Sequence, residues 1–189
     1  MIKAVVWDIG GVLIDNPNIR NFWQKKKSSR KLRNEFGSGK LSKKEFIKRG
    51  AELLGMSQKK FLEGYKRAYL SMDLIKEGLD AYKKTKVNKY ILSDTNPIHG
   101  DFLKKNFPQI FKKAKKVFLS YEIKLRKDRD KSEPFKFLAK KLKINPEEIL
   151  FIDDTSENLE NAKKAGIKTV LCDNPKELKN KLEKYRIFN

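Results

Sequence analysis

Five short apolar runs, three of them ending in a carboxylate, constrain this chain more than any other feature. They are "KAVVWD" (3–8), "KYILSD" (89–94), "KVFLS" (116–120), "EILFID" (148–153) and "KTVLC" (168–172). Each is only a few residues long and lacks polar alternation, the pattern of strands buried on both faces. Between the last two lies "DTSENLENAKKAG", with Leu159, Ala162 and Ala165 spaced for one helical face and Gly166 placed to end the helix. That makes a strand–helix–strand unit. Upstream, "DKSEPFKFLAKKLKI" offers Ser132 as a cap, Pro134 in the first turn, and Phe135, Leu138 and Leu142 on one face. Strands alternating with helices predict an α/β fold with a doubly wound parallel sheet.

Residues 16 to 79 break that rhythm. They hold no strand-like run. The capping box Ser42-x-x-Glu45 precedes an amphipathic segment with Phe46, Ile47, Leu53 and Leu54, and a second segment groups Phe61, Tyr65, Ala68 and Tyr69. At 189 residues the chain has room for one core domain plus an insertion. The expected division is an α/β core of 1–15 and 80–189 with an inserted α-helical unit at 16–79.

Ligands of open parallel sheets bind beyond the carboxyl ends of the strands. Three strands place polar residues at that edge: Asp8, then Ser93-Asp94, then Asp153-Asp154. Singly, each has an ordinary alternative as a turn or helix cap. Together they point to a bound cation, because carboxylates gathered at one edge repel one another without one.

The segments "VVWDIGGVLID", "YILSDTNPIH", "SYEIKLRKD" and "ILFIDDTSENLENAKKAGI", taken in order, resemble the four motifs of the haloacid dehalogenase-like superfamily. More narrowly they resemble the branch with a helical cap inserted after the first motif and a D-x-G-G-V start. The resemblance implies a Mg²⁺-dependent phosphohydrolase acting on a small phosphomonoester, a sugar phosphate among the options, through an aspartyl-phosphate. It makes Asp8 the nucleophile and Lys127 the cation that neutralises nucleophile and phosphate. It assigns Ser93, Asp94 and Lys127 to phosphate binding, and Asp8, the Gly10 carbonyl, Asp154 and Asp153 to the metal, with Asn158 orienting the last loop. Gly10 stands where the superfamily's phosphatases usually carry a proton-donating acid, though this branch often lacks it too. Asp94 stands where close relatives usually have Asn, and "RKDRDKSEP" lacks the proline of the usual R-K-P-D-P. Two other readings stay open: a metal-free 2-haloacid dehalogenase using Asp8, which the pair Asp153-Asp154 argues against, and a basic RNA-associated or regulatory protein of the same fold with little turnover.

The charge balance keeps the last reading in view. Forty-five Lys and Arg against 24 Asp and Glu give a net charge of +21, a field that concentrates anions without choosing among them. The lysines run through "QKKKSSRKLR", "FKKAKKVF" and "KELKNKLEKYR", so solvated helix faces and weak, non-specific nucleic-acid binding are expected. The single Cys172 excludes an intramolecular disulfide, and Asp8 and Asp15 interrupt any leader-like apolar stretch. No window approaches the roughly 18 apolar residues of a membrane span, and a cytoplasmic setting is expected. The lone His99 is read as a helix-start or cap-facing residue, Trp7 as core and Trp23 as packing in the helical unit, with Phe22 and Trp23 as alternative pocket residues.

Overall fold

The computed structural model describes residues 1–15, 22–23 and 28–188. Five parallel strands form the central sheet: β1 (Ala4–Trp7), β4 (Asn88–Ser93), β5 (Lys116–Leu119), β6 (Ile149–Asp153) and β7 (Lys168–Leu171), in the order β5-β4-β1-β6-β7. The fold is therefore the doubly wound α/β sheet. Successive residues of the central strands bury on opposite sides. Val5 and Trp7 of β1, Ile91 of β4 and Leu150 and Ile152 of β6 enter one cluster, while Ala4, Val6, Tyr90, Leu92, Ile149 and Phe151 enter the other. A strand covered on both faces has no polar side to present, which is why these runs lack alternation.

Helices α4 (Lys76–Lys84) and α10 (Pro175–Glu183) cover the first face, bringing Leu79, Tyr82, Leu178 and Leu182. Helices α8 (Glu133–Leu142) and α9 (Ser156–Lys164) cover the second with Phe135, Leu138, Leu159 and Ala162. Trp7 is fully buried and meets the Tyr82 ring edge-on at 5.4 Å. After α9, Gly166 sits at φ +81° and Ile167 N–H returns to the Ala162 carbonyl at 3.1 Å, so the glycine ends the helix as its spacing suggests. Ser132 behaves otherwise. Its backbone is helical and its side chain makes no capping bond, so α8 starts on the rigid φ of Pro134 rather than on a hydroxyl cap.

Between residues 28 and 70 run three helices, α1 (Ser29–Gly37), α2 (Lys43–Leu54) and α3 (Gln58–Leu70). Both halves of the Ser42/Glu45 capping box form at the start of α2, and Gly55 ends that helix at φ +65°. Ser57 caps α3 through Lys60 N–H at 3.3 Å. These helices share their own aromatic cluster, with Phe36 stacked on Phe46 at 3.9 Å and Trp23, Phe61 and Tyr65 edge-on around them. Gly50 admits this packing, since a Cβ there would strike the Phe61 ring. One short strand lies within the stretch read as strand-free: Asp73–Leu74 (β3) pairs antiparallel with Ile14–Asp15 (β2). Two-residue strands leave no periodic signal. This ribbon joins the two ends of the helical segment.

Candidate active site

Register places the chemistry. Trp7 pairs with Ile91 on one side and Ile152 on the other, so the residues following β1 and β6 emerge side by side where strand order reverses. The Asp8 N–H donates to the Ile152 carbonyl at 2.9 Å, continuing the ladder by one residue. The Asp8 side chain turns back to accept from Ile9 N–H at 2.8 Å. Residues 9–14 then form a tight turn, closed by Leu13 and Ile14 N–H donating to the Ile9 carbonyl.

Lys127 reaches this edge from the loop after β5. It is 1% exposed, and its ammonium lies 2.8 Å from Asp8 Oδ2 and 2.5 Å from Asp153 Oδ2, above the Phe151 ring. Burial alone would lower its pKa, but Asp153, Asp8 and Asp94 outweigh that and hold it well above the ordinary lysine value, so it stays charged. Asp153 is fully buried. Its Oδ1 accepts from Thr155 N–H at 2.8 Å and from Asn158 Nδ2 at 3.0 Å, while Oδ2 takes the ammonium. Both oxygens are thus engaged, and Asn158 faces inward to orient this loop. Asp154 is exposed and has lone pairs available for a ligand, its one side-chain partner among the described residues being the Thr155 hydroxyl at 3.3 Å.

Asp8, Asp153 and Asp154 offer oxygens within 4.8 Å of one another. Burial pushes the Asp8 carboxyl well above the usual range, against Lys127, with Asp153 and Asp154 adding to the rise. Three carboxylates against one ammonium leave uncompensated negative charge, and an all-oxygen donor set suits a small hard divalent cation. Gly11 makes the approach possible: it sits at φ +68°, and a Cβ there would fall onto Asp154 Oδ2. Around Gly10, among the described residues and apart from its chain neighbours, no atom lies within 4 Å of where a Cβ would be. Neither contrast is visible in the sequence.

Ser93 is buried at the end of β4. Asp94 beside it does more than border the cavity. Its carboxylate accepts from Lys127 N–H at 3.1 Å and Asp128 N–H at 3.2 Å, with Arg126 at 3.9 Å and itself bidentate on Asp128. The side chain therefore holds the loop that carries Lys127. Burial raises the Asp94 pKa, opposed by Lys127 and Arg126. Asn161 Nδ2 secures the same loop through the Lys127 carbonyl at 3.4 Å.

The edge opens into a cavity of about 450 Å³ between the sheet edge and the helices of residues 29–70. Tyr65, Tyr69, Asn96 and His99 form part of its wall, and Arg30, Arg33 and Asn34 of α1 another part. His99 lies 2.8 Å from the Thr95 hydroxyl and 3.4 Å from Met72 Sδ, with the Tyr69 ring at 4.9 Å. Burial pushes its pKa down to about 4, so at neutral pH it is an uncharged wall residue. Trp23 is instead buried in the aromatic cluster and does not line this cavity, nor does Phe22, which packs against it at 5.2 Å. Lys25–Lys27 of the first basic run lie outside the described residues.

Residues 2–166 match the family model described as a haloacid dehalogenase-like hydrolase. The chain belongs to that family. It is similar to a D-ribitol-5-phosphate phosphatase of Bacteroides thetaiotaomicron, with 29% identity across 92% of this chain and 93% of that protein. A family enzyme from the same organism, solved with magnesium and inorganic phosphate, superposes with a TM-score of 0.72 at 28% identity, covering 90% of this chain and 94% of that one. The L-2-haloacid dehalogenase of Xanthobacter autotrophicus shares the fold, with a TM-score of 0.68 at 18% identity over 90% of this chain and 77% of that one. Among the described residues no helix is long and apolar enough to cross a membrane.

Proposed function

We propose that this chain is a Mg²⁺-dependent phosphatase that removes phosphate from a small phosphorylated polyol or sugar, with the helices of residues 29–70 serving as a cap over the site. The observation that carries the reading is the junction of buried Asp8 and Lys127 with Asp154, which together with Gly10 and Gly11 lines a polar cavity. Asp8 attacks phosphorus, the bond from phosphorus to the leaving oxygen breaks, and the substrate alcohol departs after taking a proton. Water then cleaves the aspartyl-phosphate, returning the Asp8 carboxylate and inorganic phosphate. Lys127 holds Asp8 in place and supplies positive charge where negative charge gathers on the transferring group. Asp154 and Asp8, with the Gly10 carbonyl, are the residues to hold Mg²⁺, and Asp153 supports them through Lys127 and Asn158. When bound, the metal neutralises phosphoryl oxygens and orients them for in-line displacement.

Ser93, next to Asp94 at the same edge, is assigned to a phosphoryl oxygen. The three-carboxylate cluster favours this chemistry over metal-free dehalogenation, which has no use for Asp154. The test is phosphate release from a panel of phosphorylated polyols and sugars, with Mg²⁺ and with chelator, in the wild type and in Asp8→Asn. Release confined to wild type with Mg²⁺ is expected. Undiminished release from Asp8→Asn would overturn the covalent mechanism.

A further inference from the structure

We propose that Arg30 and Arg33 form a second anion-binding subsite at the cap end of the cavity, so that the preferred substrate carries a negative group in addition to the phosphate that is removed. The inference rests on the phosphatase reading of the same cavity. Arg30, Arg33, Asn34 and Gly37 recur at i, i+3, i+4 and i+7 of α1, which puts them on one face, and all four line the cavity.

That face is held in position by the core. The Ser120 hydroxyl meets the Gly37 carbonyl at 2.7 Å, and Arg129 Nη1 donates to the Ser38 hydroxyl at 2.9 Å. Gly37 lies so close to the Arg126 guanidinium that a Cβ would collide with Nη1. The arginines are therefore presented by a helix whose C-terminal end is docked beside the loop of Lys127.

The carboxylates of the cavity do not satisfy them. Asp94 and Asp128 serve Arg126 and the loop N–H groups, Asp154 belongs to the metal cluster, and Asp15 makes no ion pair with either arginine. Among the described residues neither Arg30 nor Arg33 has a carboxylate within 4.0 Å. The Arg33 guanidinium instead lies 5.8 Å from the Trp23 ring centroid, an arrangement that steadies its plane and leaves N–H groups for a ligand. The transferring phosphate already has its own cation in Lys127, paired with Asp8 at the sheet edge. A planar fork offered at the other end matches a carboxylate or a second phosphate, and a neutral hydroxyl uses only part of it. Asn34, Asn96, Tyr65 and Tyr69 line the wall between the two ends of the cavity, a polar lining suited to hydroxyl groups of the connecting chain.

Three probes of one carbon skeleton separate the possibilities: ribitol 5-phosphate, ribonate 5-phosphate, in which the terminal hydroxymethyl is a carboxylate, and ribitol 1,5-bisphosphate. Their affinities are measured by calorimetry with Mg²⁺ in Asp8→Asn, and kcat/KM for each is measured in the wild type. At least one of the two probes with a second anionic end is expected to bind about tenfold or more tightly than ribitol 5-phosphate, as a charge-assisted bidentate contact implies. Which one gains identifies the anion. Adding Arg33→Gln, alone or with Arg30→Gln, should bring the ratio close to one, and Arg33→Lys should restore part of it. Equal binding of all three probes, or a ratio unchanged in Arg30→Gln/Arg33→Gln, would overturn the proposal. Turnover of p-nitrophenyl phosphate by the wild type judges the phosphatase reading separately, because binding preference is measured without turnover.

Discussion

Replacing Lys127 by Met removes one charge while keeping the length of the side chain. It leaves two carboxylates, Asp8 and Asp153, without the ammonium that lies 2.8 and 2.5 Å away at 1% exposure. Removing one partner of a buried ion pair costs about 3–5 kcal/mol, and the middle of that range, about 4 kcal/mol, is expected here. With a urea dependence of about 2 kcal/mol per molar, the unfolding midpoint in chelator should fall by about 2 M at unchanged slope. A divalent cation bound to the same carboxylates replaces part of the lost charge. In saturating Mg²⁺ the deficit should therefore shrink to about half, and the variant should bind Mg²⁺ more tightly than the wild type. Phosphate release should nonetheless fall by about 10³-fold or more, because a cation fixed by Asp94 and Asn161 is lost from the transferring group. The assay is paired urea titrations in chelator and in Mg²⁺, with turnover on the same preparations. A loss below about 1 kcal/mol in chelator, or equal losses in the two buffers, would refute the view that Lys127 balances a cation-binding carboxylate cluster.

Gly10→Asp, whose Cβ meets no atom of the described residues within 4 Å beyond its chain neighbours, should raise turnover of phosphates with poor leaving groups by up to about 10²-fold, flattening the dependence on leaving-group pKa; parallel slopes in wild type and variant would show that the lack of an acid at position 10 does not limit leaving-group departure. Gly11→Ala, which drives a methyl onto Asp154 at a positive φ, should weaken Mg²⁺ binding by about tenfold or more while Gly10→Ala does not, as read by calorimetry. For His99 the folded pKa of about 4 lies below the ordinary value near 6.5, so the unfolded chain takes up the proton first and stability present above pH ~6.5 is lost as pH falls toward 4. His99→Gln should remove that slope, worth about 2 kcal/mol because the residue is only partly buried; identical pH profiles by thermal unfolding would show that the ring is not held neutral.

The elements of this fold were legible because their signals are local. A strand buried on both faces must be a short apolar run, and a capping box is read within four residues, so β1, β4, β5, β6, β7 and the start of α2 follow from the chain itself. The candidate site residues were legible for a related reason: Asp8, Ser93, Asp94, Asp153 and Asp154 stand at strand ends, and parallel register brings strand ends to one edge. Tertiary structure decided the rest. Whether Ser132 caps its helix depends on where Pro134 places the first turn, and the Ile14–Asp15 pairing with Asp73–Leu74 joins segments some sixty residues apart. The sequence shows Asp94 as one more carboxylate at the phosphate edge. Only the approach of the 127–128 loop makes it a brace for Lys127. Arg30 and Arg33 likewise read as two charges in a basic run, because hydropathy cannot tell a helix face turned to solvent from one turned to a cavity. That distinction is set by Gly37, Ser38, Ser120 and Arg129, whose contacts span about eighty to ninety residues of chain and exist only once the helical segment has folded back onto the sheet edge.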